Sequence, residues 1–126
     1  MTMRTPLGRV RGRGSARSGT GHFIGQRLTA IANIPLTIAA VLFITSLVGR
    51  NLAAVAQIMG STAVNIVMVL FIVSTSYHMK LGMQVIIEDY VHDEGAKIAL
   101  LVANIFFATA VGFASIYAIL KLSFGV

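Results

Sequence analysis

The amino-acid sequence predicts an all-α membrane protein, three transmembrane helices behind a flexible basic N-terminal arm, and two observations carry that reading. The chain of 126 residues is 56% hydrophobic and only 11% charged, with a mean hydropathy of +0.85, proportions outside those of soluble domains. Its charges are also clustered: Leu28 to Gly49, Asn51 to Met79 and Ile98 to Leu120 contain none. Each stretch is at least as long as the roughly 20 residues a helix needs to cross about 30 Å of hydrocarbon. Cysteine is absent, which excludes disulfides, thiolate metal sites, covalent c-type haem attachment and iron–sulfur ligation by this chain. Any redox centre it holds must be bound by histidine or carboxylate, or belong to a partner.

Residues 1–20 form the arm. They are rich in Gly, Ser and Arg, with Arg4, Arg9, Arg11, Arg13 and Arg17 and no acid, and offer almost nothing apolar to bury. An RGRG run can bind nucleic acid through phosphate charge. Directly before an apolar helix the same arginines are the usual positive-inside signal, and nucleic acid is not an expected partner. The apolar run that follows is too long for a signal-peptide core and no small-residue cleavage site closes it. With the arm in the cytoplasm, a first helix over about 27–48 runs outward and turns near Arg50 and Asn51. A second, about 56–86, returns, and a third, about 96–121, leaves the C-terminus periplasmic. Residues 21–126 are then one three-helix anchor, and its EDYVHDEG loop faces the cytoplasm beside the arm.

In the first helix, Thr20 is positioned as an N-cap, and Pro35 removes one backbone hydrogen bond and should kink the helix. Arg27 falls at the boundary, where it can snorkel to lipid phosphate or face an anionic cofactor group. The second helix carries Gly60, Ser61, Asn65, Ser74 and Ser76, and the third sets Asn104, Ala108, Gly112 and Ser115 along one face. Small residues let helix backbones approach closely, so these faces are packing surfaces.

The chemistry concentrates between His78 and Tyr90, HMKLGMQVIIEDY. If the membrane surface lies near Glu88, His78 is roughly 15 Å deep at about 1.5 Å per residue. An imidazole there needs a use for both nitrogens: a metal on one, a hydrogen-bond acceptor for the other. Haem iron between helices meets the first need, and Gly82, one turn on, leaves room for a porphyrin edge. A histidine simply hydrogen-bonded to another helix meets both needs equally well. At the other end, Tyr90 lies among Glu88, Asp89, His92, Asp93 and Glu94. Its phenol can donate to a quinone carbonyl while neighbouring groups resupply protons, or it is an aromatic-belt tyrosine beside an acidic loop.

His78 followed by LGMQVIIEDYVHDE, together with GTGHFIGQRLTAIANIPL near the N-terminus, resembles the hydrophobic membrane-anchor subunit (the D subunit) of bacterial succinate dehydrogenase, respiratory complex II. The resemblance covers nearly the whole chain after the arm. It implies that His78 supplies one axial ligand to haem b, the second coming from the cytochrome b subunit. It implies that Tyr90, with its neighbour Asp89, binds ubiquinone, the substrate, and that Arg27 lies near the haem propionates and the quinone entrance. The implied partners are the lipid bilayer, the cytochrome b subunit, an iron–sulfur subunit and a flavoprotein subunit carrying FAD. The implied location is the bacterial inner membrane. The anchor of a quinol:fumarate reductase is the neighbouring alternative, and a cofactor-free structural or transport subunit is the alternative of another kind.

Overall fold

The computed structural model describes residues 3, 5–12 and 19–125. These form five helices: α1 Pro6–Gly12, α2 Thr20–Ser46, α3 Leu52–Met59, α4 Thr62–Tyr90 and α5 Glu94–Phe124. Of the segment read as an arm, residues 6–12 are the short α1, which opens on Pro6, a residue suited to a first helical turn because its missing N–H has no partner there. The rest of that reading, including Arg4, Arg13 and Arg17, lies outside the described residues.

Three helices are long and apolar enough to span a membrane: α2, α4 and α5, of 27, 29 and 31 residues. At about 1.5 Å per residue each exceeds 30 Å, and the chain is a multi-pass membrane protein. Helix α2 starts well before Arg27. Its N-cap is Gly19 rather than Thr20, at φ 125° with no side-chain cap, a backbone conformation that glycine adopts freely. The Phe23 N–H donates to the Gly19 carbonyl at 3.0 Å and starts the ladder there. The helix continues unbroken past Pro35 to Ser46.

The second apolar stretch, read as one helix over 56–86, is two. The eight-residue α3 is capped by Asn51, whose Oδ1 accepts from the Ala54 N–H at 2.9 Å. It stops at Gly60, whose N–H donates back to Ala56 at 2.8 Å. Ser61 is extended, with ψ 122°, and redirects the chain into α4. At eight residues α3 spans about 12 Å, too short to cross a bilayer. Helix α4 in turn runs four residues beyond the expected end, to Tyr90. Asp93 then caps α5 by accepting from the Ala96 N–H at 2.7 Å.

Helix α4 is the centre of the molecule. It packs against α2 on one side and α5 on the other, while α2 and α5 do not touch each other among the described residues. The three long helices therefore form an open layer instead of a closed bundle. Its interior is small: Ala40, Leu81, Ile87, Asn104, Ala108 and Gly112 are buried along the long helices. Ile31, Ile34 and Ile38 on α2 and Phe106, Phe113 and Tyr117 on α5 stay exposed, surfaces suited to lipid and to partner helices.

The α4–α5 seam uses the face anticipated from sequence. The Asn104 amide donates to the Lys80 carbonyl at 2.9 Å, Ala108 is 4% exposed, and a Cβ on Gly112 would lie 3.1 Å from Ser76 Oγ. At the far end Asn65 Nδ2 donates to Ser123 Oγ at 2.7 Å. On the α2–α4 seam, a Cβ on Gly25 would meet Tyr77 Cε1 at 3.2 Å and Leu81 Cδ1 at 3.3 Å. A side chain there would crowd both residues, so glycine favours this close approach of α2 to α4, and the approach positions the site.

Candidate functional site

His78 is partly buried on the flank of α4, where the approach at Gly25 brings α2 within reach of its ring. Its Nδ1 lies 3.0 Å from Oγ1 of Thr29, one turn along α2 from Gly25. That hydroxyl also lies 2.7 Å from the Gly25 carbonyl and 3.2 Å from the Gln26 carbonyl. No hydrogen bond joins Nε2 of His78 to another described residue. The ring is held by one nitrogen and presents the other, the arrangement a metal-binding imidazole needs. Among the described residues no three His, Cys, Asp or Glu side chains gather as a metal cluster.

The seam around this pair is polar. Gln26 lies one turn toward the start of α2, with its Nε2 3.7 Å from where a Gly82 Cβ would stand. Asn33 follows Thr29 by four residues, and Ser74 precedes His78 by four. Since i and i+4 share a helix face, these two continue the stripe. Gln26 Oε1, Asn33 Oδ1 and Ser74 Oγ are buried without hydrogen-bond partners. Unpaired polar atoms buried in an apolar setting are costly, and they set this seam apart from the paired one between α4 and α5.

The other residues singled out from sequence lie at the same end of the molecule but are not gathered round His78. Tyr90 is the last residue of α4 and is 78% exposed. It stands about 18 Å along the axis from His78 and is turned by about 120° around the helix. Asp89, also exposed, projects within about 20° of the His78 direction, because eleven residues make almost three whole turns. Arg27 is exposed, with its guanidinium 5.2 Å from the centre of the Phe23 ring. A cleft of about 480 Å³ opens between the start of α2 and the end of α4, lined by His22, Phe23, Gln26, Leu81, Gln84 and Glu88 among others. Its carboxylate is held locally, since Gln84 Nε2 donates to Glu88 Oε1 at 2.8 Å. Neither Tyr90 nor Asp89 lines it.

Sequence reasoning missed Thr29. A threonine in an apolar helix is unremarkable, and its partner lies 49 residues away; the available signal was Gly25 one turn earlier, a close-approach residue on the same face. It also passed over Lys80, whose ammonium lies 5.7 Å from the Tyr77 ring centre within α4.

The Succinate dehydrogenase/Fumarate reductase transmembrane subunit family matches residues 1–112. The chain belongs to this family. It is 31% identical over 101 residues to the succinate dehydrogenase hydrophobic membrane anchor subunit of Rickettsia bellii, covering 79% of this chain and 80% of that protein. It is 26% identical over 121 residues to the subunit of the same name from Paracoccus denitrificans, covering 96% of this chain and 93% of that one. No solved structure matches. As a transmembrane anchor subunit of the succinate dehydrogenase/fumarate reductase family, the chain has partner subunits by its nature. Its open helix layer and its exposed Tyr90 are surfaces of a part, not of a whole.

Proposed function

We propose that this chain anchors a succinate:ubiquinone oxidoreductase in a bacterial inner membrane, with His78 as one axial ligand to haem b and Tyr90 in the ubiquinone-reduction site. The observation that carries the reading is the state of His78: Nδ1 engaged with Thr29 at 3.0 Å and Nε2 without a described hydrogen-bond partner, with Gly82, which has no side chain, one turn on. That donor set suits an axially ligated haem, which when bound supplies a one-electron centre between the iron–sulfur subunit and the membrane. The cytochrome b subunit would bring the second ligand, and the iron–sulfur and FAD-bearing flavoprotein subunits would deliver electrons from succinate.

Reducing ubiquinone to quinol takes two electrons and two protons. The Tyr90 hydroxyl donates a hydrogen bond to a quinone carbonyl, holding the ring and stabilising the charge that develops on its oxygen. Asp89, next in chain, and His92, exposed just past the helix end, relay protons from the aqueous side. Arg27 offers its charge to haem propionates at the same end. The arm's arginines put that end in the cytoplasm by the positive-inside rule, and the C-terminus in the periplasm. The family description spans both reaction directions. Two relatives named as succinate dehydrogenase subunits favour succinate oxidation over fumarate reduction.

The test is succinate-driven ubiquinone reduction by the purified complex, wild type against Tyr90→Phe. Wild type should turn over, and the variant, assembled with its flavin, should be slowed about tenfold, the loss of one hydrogen bond of about 1.4 kcal/mol. A wild-type complex without flavin or without quinone reduction would overturn the reading.

A further inference from the structure

Thr29 has a more specific role than packing. We propose that Thr29 is a positioning residue that fixes the tautomer and ring plane of His78, setting the donor strength of the nitrogen turned away from it. The inference rests on the haem-ligand reading of His78 and deepens it.

A threonine hydroxyl carries one proton and two lone pairs. The shortest contact of Thr29 Oγ1 is the 2.7 Å approach to the Gly25 carbonyl, with Gln26 at 3.2 Å. Both are carbonyls of the preceding turn, the usual recipients of a helical threonine's proton. A carbonyl can only accept, so the proton goes there and the oxygen turns a lone pair to the imidazole. At 3.0 Å the complementary donor is Nδ1–H. The neutral ring then carries its proton on Nδ1, and Nε2 keeps its lone pair, free of any described partner.

The relay Nδ1–H to Thr29 Oγ1, and Thr29 O–H to the Gly25 carbonyl, runs from α4 into the α2 backbone. Successive hydrogen bonds polarise one another, which makes Nε2 a stronger donor and favours ferric over ferrous iron bound to it. It also fixes the ring plane, since Thr29 is held to its own helix by the carbonyl contact. The only alternative tautomer would have Thr29 donate to Nδ1. That would place the proton on Nε2 and leave the Gly25 carbonyl without its 2.7 Å donor.

The test uses the intact purified complex, with the haem b midpoint potential from a redox titration and the low-spin ferric EPR spectrum as readouts. Wild type, Thr29→Val, Thr29→Ser and His78→Ala are compared. Valine keeps the shape and removes the relay: the potential should rise and the EPR g values should shift with haem retained. Serine keeps the hydroxyl and should restore both. A Thr29→Val complex with wild-type potential and EPR spectrum overturns the inference and leaves the haem assignment standing. If Thr29→Val does not assemble, Thr29→Ser decides: wild-type behaviour supports the relay, and equal failure assigns Thr29 to methyl packing instead. A wild-type complex without haem, or His78→Ala with an unchanged spectrum, would fail the ligand reading itself, a result distinct from any of these.

Discussion

The two seams of α4 are built from similar residue types and do different things. Toward α5, the polar groups are paired and the small ones closed over: Asn104 donates to the Lys80 carbonyl, Asn65 to Ser123, and Gly112 seats Ser76. Toward α2, one cross-helix hydrogen bond joins Thr29 to His78, while Gln26, Asn33 and Ser74 each keep a buried atom without a partner. A satisfied seam is scaffold. An unsatisfied one is less tightly fixed, since lipid offers no replacement hydrogen bonds. The same central helix thus has a paired flank toward α5 and, toward α2, the flank that the proposed function makes the chemical one.

That contrast can be broken by mutation. The largest stability effect should come from Gly112→Leu, which drives a branched side chain into a site where even a Cβ would stand 3.1 Å from Ser76 Oγ. A loss of about 1–3 kcal/mol is expected from such overpacking, read as a lower midpoint of thermal denaturation of the complex in detergent. An unchanged midpoint would mean that the seam is loose. Ser74→Ala should have almost no effect, because the hydroxyl it removes has no partner in the chain and deleting an unsatisfied group is near neutral. A midpoint lowered by Ser74→Ala as much as by Gly112→Leu would show that a partner subunit or bound water already pairs that hydroxyl.

What the sequence could and could not reveal follows the range of the interactions. The three spans were legible because lipid demands long uncharged stretches, and the α5 packing face because Asn104, Ala108 and Gly112 recur at helical spacing. His78 stood out because a lone imidazole at depth is rare. The break after Met59 was not legible, since Asn51 to Met79 contains no charge to mark it and a Gly–Ser pair is tolerated inside membrane helices. The early start of α2 depends on one positive φ at Gly19, a local choice that hydropathy does not record. Thr29 was invisible for a different reason: its role exists only once Gly25 has let two distant segments touch. Tyr90, Asp89 and Arg27 remain on exposed surface, so nothing in the fold of the chain itself gathers them around His78.

The most direct measurement is the dithionite-reduced minus oxidised visible spectrum of the purified complex, normalised to flavin, for wild type and His78→Ala. A b-type band in wild type that is lost or shifted in the variant, with flavin content unchanged, is the expected result. A band of full intensity and unchanged position in His78→Ala would contradict the assignment of the α2-facing flank as the chemical one.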